Sequence, residues 1–190
     1  MAKFFGNLHL VLVVGLVLAI GVMVAYNPTV EVTGYGVTLW LHVFFGILWI
    51  GLLYYLNFVQ VPTMPTVPAE LKKGVTGYIA PKVFFFFRYA ALLTVITGLT
   101  VAYLGGYAHQ ALTFTGAGKV NLIGLGMWIA IIMAANVWFL IWPAQQKILG
   151  LVEASDEAKA KAAPVALAAS RTNLLLSLPM LYCMAAANFT

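Results

Sequence analysis

Apolar residues in this chain fall into five long runs, separated by shorter segments that hold most of the charged residues. The runs cover Leu8–Tyr26, Val37–Val61, Val83–Tyr107, Val120–Trp142 and Asn173–Phe189. A helix needs about 20 residues to cross the roughly 30 Å of hydrocarbon in a bilayer, and each run approaches or exceeds that length. The pattern predicts an all-α, polytopic membrane helix bundle with about five transmembrane helices, forming a single domain over residues 1–190.

Two connecting segments carry predictions of their own. Pro62–Pro68 contains three prolines, and each removes a backbone donor and restricts the residue before it, so we predict a stiff loop at the membrane surface. Leu151–Ser170 is rich in alanine and places Glu157 and Lys161 at the helical i,i+4 spacing. We expect residues 151–170 to form a helix on the cytoplasmic surface, or a solvated connector that ends near Pro164.

Composition narrows the class of protein further. The chain is 63% hydrophobic and 8% charged, against roughly 25% charged in an average soluble domain, which excludes a water-soluble globular protein. The net charge of +5 comes from ten basic and five acidic residues, too few and too dispersed for a nucleic-acid partner. The single cysteine, Cys183, precludes an internal disulfide, and the absence of a Cys-x-x-Cys-His run excludes covalent c-type heme. Noncovalent cofactors remain open.

The positions of the basic residues predict an orientation in the bilayer. They concentrate in the N-terminal tail and in the second and fourth connecting segments, whereas the first and third hold only Lys119. Cytoplasmic loops retain Lys and Arg, so we expect the N-terminus inside and the C-terminus outside. We expect an integral protein of the bacterial inner (cytoplasmic) membrane, surrounded by the lipid bilayer.

The second apolar run carries a stripe of six residues on one helical face, three of which have polar side chains that are unusual in an apolar run. Steps of three or four confine its members to an arc of about 80°; they are His42, Gly46, Trp49, Leu53, Asn57 and Gln60. A buried imidazole is a natural axial heme ligand, and Gly46, one turn along, would leave room for a porphyrin edge. The alternative is a histidine that hydrogen-bonds a neighbouring helix.

If heme b binds at His42, a second ligand must come from another helix at the same depth. His109 and Met184 both qualify. The alternatives are an ordinary loop histidine and a packing methionine.

Polar side chains from four predicted helices form a second constellation near the inner surface. Its members are Asn57, Gln60, Arg88, Asn136, Arg171 and Asn173. Arg88 has no acidic residue within any predicted span, so it would need carbonyls, water, a heme propionate or an anionic ligand. Arg171 could instead extend to lipid phosphates. A planar, anionic small molecule and a quinone headgroup both suit such a pocket, and no side chain is assigned a catalytic role.

Aromatic residues and glycines in the predicted spans indicate anchoring and helix packing rather than a chemical function. Phe84–Phe87, Tyr89, Trp138 and Trp142 fit interfacial anchoring belts. Gly98, Gly105, Gly124 and Gly126 fit close contacts between helices.

Several segments, in order and spacing, resemble the membrane domain of PuuD-type urate hydroxylases. They are Leu41–Gly51, Asn57–Gln60, Asn136–Pro143, Ser170–Asn173 and Leu176–Met180. The stretch from His42 to Trp49 is also similar, more distantly, to the histidine-bearing helix of HemJ- and CopD-like membrane proteins.

The resemblance implies a heme-associated membrane oxidoreductase. PuuD-type proteins are taken to oxidise urate and to pass electrons to a fused C-terminal cytochrome c. This chain ends at Thr190 without that domain, so we expect a separate cytochrome c or a quinone as the redox partner. The resemblance supports His42 as the family-like histidine and the inner amides and Arg171 as motif positions.

The sequence is therefore compatible with three alternative functions. The first is a heme-b-binding membrane oxidoreductase or electron-transfer protein that resembles the membrane part of urate hydroxylase, with His42 as the metal ligand. The second is a non-catalytic accessory subunit of a larger membrane complex. The third is a small-molecule or metal carrier. Because a five-helix monomer would expose much of its surface to lipid, we expect an oligomer or a complex subunit.

Overall fold

The structure is a computed structural model that describes residues 2–26 and 34–187. The chain divides into two compact units, residues 1–37 and residues 38–190. In the first unit, a short helix α1 (Ala2–Phe5) precedes α2 (Leu8–Tyr26). The bounds of α2 confirm the first predicted apolar helix. Within Leu8–Ala25 no residue is buried by the rest of the protein.

Three further long helices each consist of α-helical parts joined by one turn of π-helix. The second contains α3 (Gly34–Tyr54), π1 (Tyr55–Gln60), α4 (Val61–Thr63) and a 3₁₀ turn, Met64–Thr66. The third contains α5 (Ala69–Gly74), π2 (Val75–Ile79) and α6 (Ala80–Leu104). After the short α7 (Ala108–Thr113), the fourth contains α8 (Lys119–Asn136), π3 (Val137–Ile141) and α9 (Trp142–Ile148).

The described residues are helical or in turns, with no strand among them, and four helices are long and apolar enough to cross a bilayer. These are Leu8–Ala25, Gly34–Thr66, Ala69–Leu104 and Lys119–Ile148. Four helices of this length and composition indicate a membrane protein. The fifth predicted span begins at Asn173, within α10 (Asp156–Ala186), and is not among the four. Its predicted end at Phe189 lies outside the described residues.

The predicted loop over Pro62–Pro68 is wrong, because the second long helix continues to Thr66 and only then becomes extended at Val67. Pro62 lies two residues after the end of π1, and Pro81 and Pro143 hold the same position after π2 and π3. The residue before each of these prolines bonds to the carbonyl five residues back, as Val61 does to Leu56. This wider turn accommodates a proline that would otherwise clash in an α-helix.

The segment after α9 is helical as predicted, but the helix does not end near Pro164. The Ser155 hydroxyl caps α10 by accepting a hydrogen bond from the Ala158 N–H at 3.2 Å. Lys161 donates to Glu157 at 2.6 Å, the predicted i,i+4 pair. The helix then continues for 31 residues through Pro164 and Pro179. Ala160, four residues before Pro164, is exposed, so water can satisfy its freed carbonyl.

The core of the second unit lies where α3, α6, α8 and α10 meet. Its largest fully buried side chains include Trp49, Leu53, Phe87 and Met133. Trp49, Leu53 and Asn57 belong to the stripe predicted on the second helix, and all three are buried. That stripe therefore faces the protein interior.

Candidate functional site

The imidazole of His42 is held against α6 by its Nδ1 atom. Nδ1 lies 2.9 Å from the carbonyl oxygen of Thr94 and 3.4 Å from the hydroxyl of Thr97. A carbonyl can only accept, so the bond to Thr94 assigns the proton to Nδ1 of a neutral imidazole. Nε2 then carries the lone pair, the arrangement in which a histidine binds a metal through one nitrogen and is oriented through the other.

A glycine on α6 makes room for this ring. A methyl group on Gly98 would lie only 2.8 Å from Cε1 of His42 and 3.1 Å from Nδ1. Gly126 on α8 lies against Cys183 and Met184 of α10, because a methyl group there would lie 2.9 Å from the Cys183 Cβ and 3.2 Å from the Met184 Cε. The prediction that these glycines mediate close helix contacts is confirmed for Gly98, Gly124 and Gly126, each of which faces another helix.

His42 and Met184 line the same small pocket. The pocket has a volume of about 20 Å³, enough for about one water molecule, and is otherwise lined by side chains that are mostly small or aliphatic: Thr94, Val95, Gly98, Leu99, Met127, Ala130 and Ile131. Two of the proposed heme contacts, from the second helix and from α10, are therefore brought together.

The other two proposed heme contacts lie elsewhere. His109 is an exposed residue of α7 and is not part of the pocket. Gly46 lies against Thr94, at ordinary contact distance of 3.9 Å for an added methyl group, and does not line the pocket either. Among the described residues, no group of three or more His, Cys, Asp or Glu side chains could hold a metal ion. A heme iron needs only one or two axial protein ligands.

Buried amides connect three helices at one turn of α10. Asn57 Nδ2 donates to the Ser170 hydroxyl at 2.9 Å and to the Leu53 carbonyl at 2.9 Å. Asn136 Nδ2 donates to the Ala169 carbonyl at 2.8 Å and to Asn173 Oδ1 at 2.7 Å. Asn173 Nδ2 in turn donates to the Met133 carbonyl at 3.1 Å. We call Asn57, Asn136, Ser170 and Asn173 the amide network.

The amide network leaves acceptor oxygens without partners. Asn57 Oδ1 and Asn136 Oδ1 are buried and accept no hydrogen bond from the described residues, and neither does Gln60 Oε1, one turn beyond Asn57. Burying an acceptor without a donor is costly, so each of these oxygens suits an N–H or O–H group from water or a ligand.

Arg88 is surrounded by aromatic rings. Its Cζ atom lies 3.8 Å from the ring centroid of Trp142 and between 5.1 and 5.9 Å from those of Tyr89, Phe85 and Trp138. A cation above a ring face is attracted by the π electrons. We call these four rings the aromatic cage. The partner of Arg88 is thus an aromatic surface, which none of the predicted alternatives included.

The predicted inner constellation divides into two separate places. Asn136 bonds to α10, whereas Trp138, two residues later and on the other side of the helix, donates its indole N–H to the Arg88 carbonyl at 3.1 Å. Asn57, Asn136 and Asn173 meet in the amide network, and Arg88 lies in the aromatic cage. Arg171 is exposed and faces away from the network.

Sequence reasoning missed Trp138 and Trp142 as part of this place. Their i,i+4 spacing near the end of an apolar run was a usable signal, as was the same spacing of Phe85 and Tyr89 around Arg88. Interfacial anchoring explains the same residue types, so the pattern alone does not select the cage.

Residues 84–190, more than half of the chain, match a protein family described as "Urate oxidase N-terminal". The match includes the aromatic cage, α8 and α10 with Met184, and excludes His42 and Asn57. No curated protein and no solved structure matches the chain significantly.

Proposed function

Because the chain belongs to the Urate oxidase N-terminal family, we propose that it is a membrane oxidoreductase or electron-transfer protein related to the urate hydroxylases. In this proposal His42 is the axial ligand of a heme b. The observation that carries it is the hydrogen bond from His42 Nδ1 to the Thr94 carbonyl, which leaves Nε2 to bind a metal in a pocket shared with Met184.

The side chains of the pocket have the donor chemistry of such a site, because an imidazole and a thioether are common axial donors for heme iron. The pocket volume of about 20 Å³ holds about one water molecule, far less than the usual 300–1,000 Å³ of small-molecule sites. Heme binding would therefore require the helices that carry His42 and Met184 to move apart. When bound, the heme supplies one-electron chemistry.

The protein's own residues would set the properties of that site. Thr94 and Thr97 fix the ring orientation and tautomer of His42. Met184 is the second ligand in this proposal, because it shares the pocket and His109 does not. A thioether in place of a second imidazole raises the reduction potential of the iron.

The amide network, together with Gln60 one turn beyond Asn57, is the proposed place for the substrate. The three side-chain oxygens that lack a donor among the described residues, on Asn57, Gln60 and Asn136, suit a planar heterocycle that carries several N–H donors, as urate does. They would repel a heme propionate, since carboxylate and amide oxygens are both acceptors. The redox partner in this proposal is a cytochrome c or a quinone, and the chain works as an oligomer or a subunit of a complex in the bacterial inner membrane.

The test of heme binding is a reduced-minus-oxidised visible spectrum of the purified protein, expressed with a heme supply. We expect a b-type band in the wild type and its loss in His42→Ala. The matched control is His109→Ala, which removes an exposed histidine outside the pocket and should keep the band. A wild type without a heme band, or a band unchanged in His42→Ala, would remove the proposal.

The amide network also favours a second function, that of a non-catalytic accessory subunit. Both N–H groups of the Asn136 side chain donate to acceptors on α10. Polar residues stabilise a membrane helix bundle in this way without taking part in a reaction. A heme-free protein that co-purifies stoichiometrically with a membrane complex would support this function. A small-molecule or metal carrier remains the third alternative, supported by the soft donors Met127, Met184 and His42 of the pocket.

A further inference from the structure

The aromatic cage is built from two long helices that are fixed to each other. The Trp138 indole donates to the Arg88 carbonyl at 3.1 Å, and the Tyr89 ring meets the Trp138 ring edge-on with centroids 5.6 Å apart. Trp142 closes the cage from one side, 3.8 Å from the guanidinium carbon. The rings are therefore held in place by main-chain and ring contacts between α6 and π3.

The guanidinium inside the cage still has a donor to satisfy. Arg88 Nε is buried and finds no acceptor among the described residues, whereas the two terminal nitrogens of the guanidinium are not fully buried and are the atoms that a group from the bilayer can reach. The two ion pairs in the described part of the chain, Lys159 with Asp156 and Lys161 with Glu157, do not involve it. An arginine carries five N–H donors and no acceptor, so the group that completes the cage must bring an oxygen or another acceptor.

The rings indicate which kind of acceptor this is. The faces of aromatic rings carry negative charge, which disfavours a full anion beside them but favours a neutral, flat ring that stacks. The cage is also open toward the bilayer, since Phe85 is 48% and Tyr89 38% exposed. Arg88 lies six residues before Thr94 on α6, about 9 Å along the helix from the main-chain group that holds His42.

We propose that the aromatic cage binds the headgroup of a lipid-soluble quinone, with a quinone carbonyl oxygen accepting a hydrogen bond from Arg88. The headgroup ring lies against the aromatic rings of the cage, and its isoprenoid tail leaves between the half-exposed rings into the lipid. This rests on the proposed function, because it selects the quinone rather than cytochrome c as the redox partner of the His42 site.

The test is a fluorescence titration of the full chain in detergent with decylubiquinone, whose ring quenches tryptophan emission. We expect saturable quenching in the wild type and an apparent affinity at least about tenfold weaker in Arg88→Gln, the loss expected when one hydrogen bond to a charged donor disappears. The matched control is Arg171→Gln, which removes an exposed arginine outside the cage and should titrate as the wild type does. Equal affinity in Arg88→Gln and Arg171→Gln would overturn the proposal.

A second pair of variants keeps the test valid if Arg88→Gln does not fold. Trp142→Phe replaces a tryptophan of the cage. Trp128→Phe replaces a tryptophan of the same long helix that lies outside the cage and whose indole N–H donates to the Leu112 carbonyl. We expect the quenchable emission to fall in Trp142→Phe, where Trp138 is the remaining tryptophan of the cage, and to persist in full in Trp128→Phe. An equal loss in both would show quenching from the lipid or detergent phase and overturn the proposal.

An anionic lipid is the competing occupant. Vesicles of phosphatidylglycerol that displace decylubiquinone, where phosphatidylcholine vesicles do not, would overturn the quinone assignment. The outcome is separable from that of the proposed function. Saturable quenching at Arg88 in a heme-free protein contradicts only the heme proposal, and an intact heme band without saturable quenching contradicts only the quinone site.

Discussion

Two glycines determine where the candidate iron ligands can lie. Gly98 faces His42 and Gly126 faces Met184, and in both places a methyl group would come closer than packed atoms normally do. Because the side chain of glycine is a single hydrogen atom, Gly98 and Gly126 leave room for His42 and Met184. A larger residue at either glycine is therefore expected to displace the neighbouring ligand.

Replacing Gly98 by alanine should displace the His42 ring, since the new methyl group would lie 2.8 Å from Cε1. We expect Gly98→Ala to lower the free energy of unfolding by about 1–3 kcal/mol, as overpacked cores do. The control is Gly51→Ala on the same helix as His42, where a methyl group meets no atom within 4 Å and a helix interior gains up to about 1 kcal/mol. Thermal unfolding in detergent measures both. A Gly98→Ala protein as stable as the Gly51→Ala protein would contradict this account.

At single residues, the sequence predicts what depends on one helix and not what depends on two. The spacing of His42, Trp49 and Asn57 predicts a shared face, and the buried positions of Trp49 and Asn57 confirm it. The partners of Arg88 depend on how α6 packs against π3 and α9, which no spacing within α6 records. The division of the inner polar residues into two places follows from the same packing.

At the scale of helices, the amide network is the main polar contact between α10 and its neighbours. Asn173 is fully buried, donates to the Met133 carbonyl and accepts from Asn136. Its removal would leave a buried N–H group of Asn136 unpaired and would take away the second hydrogen bond of the Met133 carbonyl, which also accepts from the Val137 N–H.

We therefore expect Asn173→Ala to lower the free energy of unfolding by about 1–3 kcal/mol, the cost of unpaired buried polar groups. Thr172→Ala is the control, since Thr172 is exposed and bonds only to Ala168 within its own helix. Equilibrium unfolding in a mixed detergent measures the difference. Equal stabilities would mean that the network contributes no net binding between the helices.

Prolines explain where helix prediction fails. The rule that a proline ends a helix holds for an α-helical turn, and it failed at Pro62 because π1 precedes it. It failed at Pro164 for a different reason, since there the freed carbonyl lies on an exposed surface. Helix positions follow from apolar composition, but the type of turn depends on the contacts that each proline makes.

At the scale of the whole molecule, α10 combines two predicted elements in one. Its 31 residues extend over about 46 Å, which exceeds the roughly 30 Å of hydrocarbon by several turns. The 14 residues from Asn173 to Ala186 extend over only about 21 Å, so a membrane-spanning part of α10 would have to begin before Asn173, with Glu157 and Lys161 of the first turns outside the hydrocarbon.

Orientation follows from the same distribution of charge. We expect the N-terminus inside and the C-terminus outside, because Lys72, Lys73, Lys147 and Lys161 then lie on the cytoplasmic side. Alkaline phosphatase fused to the C-terminus should be active, and green fluorescent protein fused there should be dark. The same fluorescent protein at the N-terminus is the control and should be bright. A bright C-terminal fusion would place the C-terminus in the cytoplasm and contradict an odd number of spans.

The turn of π-helix at π3 amounts to one extra residue inserted into the fourth helix. Deleting a residue of π3 would convert the wide turn into a turn of α-helix and leave the flanking parts facing about the same way, because the wide turn absorbs the extra residue. Pro143 would then follow an ordinary α-helical turn, where its ring clashes with the carbonyl four residues back. A one-residue gap in an alignment at this position should therefore occur together with the replacement of Pro143.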